Sequence, residues 1–303
     1  MKIAMVGLGR MGMNMAKRLL LGRHDVVVYN RTKDKTDEIV KYGAIGAYSL
    51  KQAVQELAPP RIIWFMLPAG PVVDDHIRRI MDLLSPGDII LDGGNTYYKD
   101  DVRRAELLSN MDIHFLDVGV SGGIWGLEKG YCLMIGGKKD IFNYTEPVFK
   151  TLAPEEGYLY CGPIGAGHFV KMVHNGIEYG IMQAYGEGFH ILEASQYSQS
   201  LDFASIAHLW NRGSVVRSWL LELLESAFAK DDRLSGLKGY VEDSGEGGWT
   251  VQQAIDTNVS IPVITMSLMQ RYRSREKDQF SDKVVTALRR EFGGHAVRGS
   301  DIK

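Results

Sequence analysis

The sequence predicts an α/β protein in which an N-terminal doubly wound sheet is followed by an all-helical C-terminal domain. Three observations predict it. Up to about residue 165, short apolar runs bounded by glycine alternate with helical patterns. Beyond that point strand signals fade and helix-period segments follow one another. The first strand also runs directly into a glycine-rich turn that opens a helix. The expected domains are therefore 1–165 and 166–303.

In order, "KIAMVGLG" leads to a helix near 11–22, "DVVVYN" to one near 33–43, and "RIIWFML" to one near 71–84. "DIILDGG" leads to a helix near 98–109; "IHFLDVGVSGG" and "YCLMIGG" follow, the latter with a helix near 140–151. Short, almost wholly apolar strands fit a largely parallel sheet covered on both faces. The second half reads as one long helix from His168, then helices near 202–212, 214–229, 250–258, 261–273 and 280–292. The Gly/Ser-rich stretch 236–250 reads as a loop facing a substrate.

Composition excludes several classes. With 303 residues, 45% hydrophobic and 24% charged, the chain has the make-up of a globular protein with a sizeable core. A net charge of −2 and the absence of a dense Lys/Arg tract argue against nucleic acid. No apolar run is long enough to span a bilayer, and Arg10 with its neighbouring glycines makes the N-terminus a strand-turn-helix rather than a signal peptide. Two cysteines, Cys132 and Cys161, are too few for a disulfide framework and lack metal-ligand spacing, so the expectation is a reduced, cytoplasmic protein with structural thiols.

The turn "GLGRMG" places Gly7, Gly9 and Gly12 in the G-x-G-x-x-G pattern, with Leu8, Arg10 and Met11 between them. Gly7 permits the tight turn, Gly9 admits a pyrophosphate and Gly12 allows close helix–strand packing, as in a Rossmann-type dinucleotide site. At the end of the second strand stand Asn30, Arg31 and Thr32. NAD proteins commonly place a carboxylate here; Asn30 would not repel a 2′-phosphate and Arg31 can pair with one, so NADP is favoured and NAD remains possible. "DGGN" (92–95) and "VSGG" (120–123) end further strands, where ligands bind in open α/β sheets. They offer Asn95 and Ser121 side chains and the backbone N–H groups of Gly122 and Gly123.

The long helix carries Lys171, His174, Asn175 and Glu178 at i, i+3, i+4 and i+7, a polar wedge among apolar residues. A mostly buried helix with such a wedge is best explained by a cavity in front of it. The glycines at 176, 180, 186 and 188 suggest close approach by other elements. Beside a nicotinamide, oxidation of an alcohol needs a base, and lysine becomes one near neutral pH when burial lowers its pKa. A carboxylic acid two turns away can deliver a proton elsewhere on the same small substrate.

Together, "GLGRMG", "NRT", "DGGN", "VSGG", "GHFVKMVHNGIEYG", "WT" (249–250) and "FGGH" (292–295) make the chain resemble the 6-phosphogluconate dehydrogenase family, within the wider β-hydroxyacid dehydrogenases, along essentially its whole length. It looks like a short bacterial form with a reduced helical domain. The resemblance implies oxidative decarboxylation of a phosphosugar acid, 6-phosphogluconate, to ribulose 5-phosphate. It assigns Lys171 as the base for the 3-hydroxyl proton and Glu178 as the acid that protonates carbon 1 of the enediol. No metal is implied, because the protonated lysine serves as the electron sink. Asn95, Ser121, Gly122, Gly123, His174 and Asn175 map to substrate contacts, Asn95 also to the cofactor. Tyr179 and Arg273 map to the phosphate site, and Arg289 and His295 to a C-terminal tail that completes the site of a second subunit, implying a homodimer.

One departure stands out. Where long family members carry a phosphate-binding lysine before the "WT" pair, this chain has Gly248. Thr250 remains, and a neighbour such as Arg271 is a possible substitute cation. Two other readings stay open. A 3-hydroxyisobutyrate-type dehydrogenase would use the Lys–Asn pair but has no need for Glu178, Tyr179 or the arginine tail. A non-catalytic NADP-sensing protein would not need an acid–base pair at all.

Overall fold

The computed structural model describes residues 1–293, and the chain divides into two compact units, Met1–Gly176 and Ile177–Lys303. The first is built on β1 (Lys2–Val6), β2 (Asp25–Tyr29), β3 (Ile45–Ala47), β4 (Ile62–Phe65), β5 (Ile89–Asp92), β6 (His114–Ser121), β7 (Cys132–Gly136) and β8 (Tyr158–Gly162). They form one sheet in the order β3-β2-β1-β4-β5-β6-β7-β8. The connecting helices are α1 (Arg10–Leu21), α2 (Lys33–Val40), α3 (Leu50–Gln55), α4 (Pro71–Ile80), α5 (Tyr98–Ser109), α6 (Gly126–Lys129) and α7 (Lys139–Leu152).

Both faces of the sheet are covered, which is why its central strands read as continuous apolar runs. Side chains alternate along β1: Ile3 and Met5 enter a core with Leu19 and Phe149, while Ala4 and Val6 enter another with Val54 and Ile77. β1 lies between β2 and β4, so the strand order reverses there and opens a crevice at the carboxyl ends.

The elements missed by the sequence reading are short or peripheral. β3 has three residues and α3 six, too few for a periodic signal, and β3 and β8 are the two edges of the sheet. β7 runs antiparallel to β6, the exception in an otherwise parallel sheet. The link between them spans only residues 122–131, too short for the crossover a parallel pair requires.

The division between the units falls inside α8 (Ala166–Glu193), because the first turns of that helix press against the sheet. A Cβ on Gly167 would lie 2.4 Å from the Met134 carbonyl oxygen, and one on Gly119 of β6 would lie 2.5 Å from Lys171 Cβ. The second unit contains the distal part of α8 with α9 (Phe203–Trp210), α10 (Trp219–Phe228), α11 (Glu246–Asp256), α12 (Pro262–Arg275) and α13 (Phe280–Gly293). Its core joins Phe189, Phe203, Leu221 and Phe228, with the Phe189 and Phe228 rings 4.9 Å apart. Asp202 and Ser218 cap α9 and α10 by accepting from the amides of Ser205 and Leu221. The Ser218 cap starts α10 later than the expected 214, and α11 starts at Glu246, so the end of the expected loop 236–250 is helical.

The expectation of a mostly buried α8 holds only in part, although Tyr179 and Phe189 of its later turns are also buried. Lys171, Met172 and Asn175 are buried, but Val170, Ile177, Ile181, Met182 and Ile191 are exposed. Gly180 is closely approached, its Cβ position lying 3.3 Å from Val263, whereas Gly186 and Gly188 have no heavy atom within 4 Å of theirs. Among the described residues no helix is long and apolar enough to cross a membrane.

Candidate active site

The dinucleotide turn is built by its glycines. Gly7 has φ of +98°, and a Cβ there would meet the Met66 carbonyl oxygen at 2.4 Å. A Cβ on Gly12 would lie 2.1 Å from the Gly7 carbonyl oxygen, so α1 packs against the turn as close as backbone allows. Gly9 is the opposite case: it is exposed, with no heavy atom within 4 Å of its Cβ position. It stands at the N-cap of α1 without a side-chain cap, leaving the helix N-terminus open to a phosphate.

Asn30 braces this turn. Leu8 N donates to Asn30 Oδ1 (2.9 Å), and Asn30 Nδ2 donates to the Thr32 carbonyl (3.1 Å). Leu8 is thus a structural member of the segment, with its side chain buried and its amide held by Asn30. Arg10, Arg31 and Thr32 are exposed, and Met11 is half-buried. The turn after β4 escaped the sequence reading. Met66 touches the Gly7 and Gly12 positions, and a Cβ on Gly94 would lie 2.5 Å from the Leu67 carbonyl oxygen. Its signal was the same carboxyl-end rule that singled out "DGGN".

At the end of β5, buried Asp92 shapes the next turn. Its Oδ1 accepts from Gly94 N (3.0 Å) and its Oδ2 from Thr96 Oγ1 (2.8 Å), which sets half-buried Asn95 between them. β6 ends at half-buried Ser121, and Gly122 and Gly123 turn away with φ of +131° and +54°. Ser121 pairs in register with Cys132, whose exposure does not fit the structural role expected for it.

The first turns of α8 bring three of the wedge residues together. Asn175 Oδ1 accepts from Lys171 Nζ at 2.5 Å and from His174 Nδ1 at 2.9 Å. Lys171 is 7% exposed and Asn175 8%. With its oxygen turned to these two donors, the Asn175 carboxamide has its NH2 directed elsewhere. Lys171 stands against Gly119, two residues before Ser121, so the amine-bearing turn lies alongside the carboxyl end of β6.

In the second unit, half-buried Glu178 follows Lys171 along α8 by seven residues, two helical turns. Tyr179 is buried; its hydroxyl accepts from Ser244 N at 3.3 Å, and a Cβ on Gly247 would lie 2.5 Å from its ring. The Arg271 guanidinium sits 3.5 Å from the Tyr179 ring centroid, and its Nη1 donates to the Glu242 carbonyl (2.7 Å). Buried Thr250 donates to the Glu246 carbonyl at 2.8 Å. Arg273, the arginine expected at a phosphate, instead reaches Gln279 and Asp282, the latter at 3.0 Å. α12 turns residues two apart to different sides, and it is Arg271 that faces Tyr179. Arg289 is exposed on α13, and His295 lies outside the described residues.

Comparisons with known proteins agree along the chain. Residues 2–162 match the model of the NAD binding domain of 6-phosphogluconate dehydrogenase, and residues 167–296 that of the C-terminal domain of 6-phosphogluconate dehydrogenase. The Bacillus subtilis protein YqeC is 50% identical over 297 residues, covering 98% of this chain and 99% of that protein. A Haloferax volcanii protein named as an NAD(+)-dependent, decarboxylating 6-phosphogluconate dehydrogenase is 41% identical over 303 residues, 99% of this chain and 100% of the relative. Among solved structures, Plasmodium falciparum 6-phosphogluconate dehydrogenase, studied with NADP+ and with 6-phosphogluconate, superposes with a TM-score of 0.83 at 29% identity, over all of this chain and 67% of that one.

Proposed function

The chain belongs to the 6-phosphogluconate dehydrogenase family, and we propose that it oxidises and decarboxylates 6-phosphogluconate to ribulose 5-phosphate and carbon dioxide. The observation that carries this reading is the buried amine of Lys171, oriented by Asn175 and set beside the carboxyl end of β6. The open Gly9 face and uncapped α1 terminus fit a dinucleotide pyrophosphate. Bound there, the nicotinamide supplies a hydride acceptor.

In this reading neutral Lys171 takes the proton of the substrate 3-hydroxyl as hydride leaves carbon 3. The resulting ammonium donates to the new ketone oxygen. The bond to the carboxylate then breaks, carbon dioxide departs, and the electron pair forms the enediol. Glu178 protonates the carbon that becomes carbon 1 of the product, and the enediol hydroxyl proton returns to Lys171. Asn95, Ser121, Gly122, Gly123, His174 and Asn175 hold the sugar acid. One carbon dioxide released per NAD(P)H formed, with ribulose 5-phosphate as the sugar product, supports the proposal; NAD(P)H without carbon dioxide refutes it.

We place the 6-phosphate at Tyr179, Arg271 and Thr250, with Arg271 taking the part expected of Arg273, supported by the contact of its guanidinium with the Tyr179 ring. The missing lysine is replaceable, since a Cβ at Gly248 would meet only Tyr272 Oη, at 3.9 Å. Gly248→Lys is expected to lower KM for 6-phosphogluconate by about tenfold, the low end for a charge-assisted hydrogen bond, with kcat little changed. An unchanged KM would remove the phosphate from this position.

For the cofactor we propose a preference for NADP. Asn30 places no carboxylate at the end of β2, and exposed Arg31 and Thr32 are available to a 2′-phosphate. Arg31→Ala is expected to raise KM for NADP about 10–100-fold and that for NAD less than about threefold. Equal effects on both would refute the preference. We further propose a cytoplasmic homodimer. Its support is apolar surface in the second unit, where α13 exposes Phe280, Val284, Val285 and Leu288 and a cavity of about 490 Å³ beside α8 is lined by Tyr185, Phe189 and Leu224. In the dimer, the α13 tail, with Arg289 and His295, would complete the partner's site.

A further inference from the structure

His168 lies on α8 three residues before Lys171 and is buried, 2% exposed. Both of its ring nitrogens face oxygen. Nδ1 is 2.7 Å from Asp101 Oδ2 of α5, and Nε2 is 3.0 Å from the carbonyl oxygen of Gly94. The Gly94 carbonyl accepts only, so Nε2 carries a proton; an ionised Asp101 likewise only accepts, so Nδ1 then carries one too. The surroundings favour the charged pair. Asp92 of β5, Asp101 of α5 and Asp117 of β6 are all fully buried around this ring. Buried Arg104 lies 3.4 Å from Asp92, 3.9 Å from Asp101 and 2.8 Å from Asp74 of α4. Buried Asp92 and Asp101 share this guanidinium, and buried Asp117 accepts from the His168 amide, which leaves charge for a second cation to balance.

The same ring joins the segments that carry the site. Gly94 immediately precedes Asn95, and its amide is held by Asp92. Asp117 takes the amides of Gly165 and His168, each at 2.7 Å, and so fixes the first turn of α8 to β6. The helix turn below Lys171 and the peptide before Asn95 are therefore locked to one another through a single imidazole.

We infer that His168 is a positioning residue: as an imidazolium clamped between the Asp101 carboxylate and the Gly94 carbonyl, it sets Asn95 against the Lys171 turn of α8. The inference deepens the proposed function and rests on it for the role of Lys171. Burial alone would lower the pKa of His168; the neighbouring Asp101, with Asp92 and Asp117, overcomes burial and raises it to about 9. Burial pushes Asp101 up to about 7 against the pull of His168. Because the folded pKa of His168 exceeds its unfolded value, the stabilisation it gives beside ionised Asp101 is lost as pH rises through about 9.

The test is nitrogen NMR of the full-length protein labelled in histidine, with His168 assigned by His168→Gln. The expected result is a ring protonated on both nitrogens at pH 7.5 that loses one proton near pH 9. A Nδ1 without a proton at pH 7.5 overturns the inference. This measurement uses no substrate, so it stands or falls apart from the activity. In turnover, Asp101→Asn is expected to lower kcat about 10–100-fold and shift the alkaline limb of the pH–rate profile downward. An unchanged kcat and pH profile in the folded variant overturns the positioning role; if that variant does not fold, the spectrum of the unaltered protein decides.

Discussion

Lys171→Ala is expected to lower kcat for 6-phosphogluconate by about 10²–10⁴-fold, the range for loss of a general base, while the Kd for NADPH stays within about threefold. The amine is buried, its Cβ abuts Gly119 and its Nζ donates to Asn175, so truncation removes an enclosed, oriented base. The loss falls on two steps of the proposed mechanism. Without the amine no base receives the 3-hydroxyl proton, and without the ammonium no donor stabilises the enolate left by carbon dioxide. NADPH binding survives because the Gly7–Gly9–Gly12 turn is shaped by Met66 and Asn30 and does not depend on α8 for its geometry. A small primary amine added to this variant is expected to restore part of the rate. Titration of NADPH fluorescence beside steady-state turnover checks both halves, and full turnover in the variant would overturn the mechanism.

Glu178→Gln has the second largest expected effect and a different signature. The change keeps side-chain shape and removes a transferable proton. Oxidation, which needs Lys171, should continue; protonation of the enediol should not. Overall formation of ribulose 5-phosphate is expected to fall about 10²–10⁴-fold, while a first-turnover burst of NAD(P)H persists. Stopped-flow absorbance at the reduced nicotinamide band reads the burst, and product assay reads the steady state. Equal loss of burst and steady rate would assign Glu178 to the hydride step or to folding instead of to the final protonation.

The sequence disclosed the parts of this site that depend on local spacing. Gly7, Gly9 and Gly12 are legible because each answers a separate backbone requirement, and the structure bears out each: a positive φ, an open face and a close approach. The Lys171, His174 and Asn175 cluster is legible because helix periodicity alone puts these residues on one face. What depends on tertiary contact was not legible. Arg271 and Arg273 are two residues apart on α12, and only the packing of Tyr179 against Gly247 and Arg271 tells them apart. The antiparallel β7 follows from the length of one connection, which a strand-by-strand reading does not weigh. His168 continues the polar wedge one turn toward the N-terminus, but its partners Asp101 and Gly94 are 67 and 74 residues away in the chain. The wedge predicts a mostly buried helix facing a cavity; α8 buries Lys171, Met172, Asn175, Tyr179 and Phe189, while Val170, Ile177, Ile181, Met182 and Ile191 are exposed.

On the proposed function, this amine-bearing helix serves a phosphosugar acid. Steady-state NAD(P) reduction with 6-phosphogluconate and with 3-hydroxyisobutyrate, each offered with NADP and with NAD, tests it most directly. The expected result is turnover of 6-phosphogluconate with release of carbon dioxide, faster with NADP, and little or no reaction with 3-hydroxyisobutyrate. Reduction with 3-hydroxyisobutyrate and none with 6-phosphogluconate would contradict it.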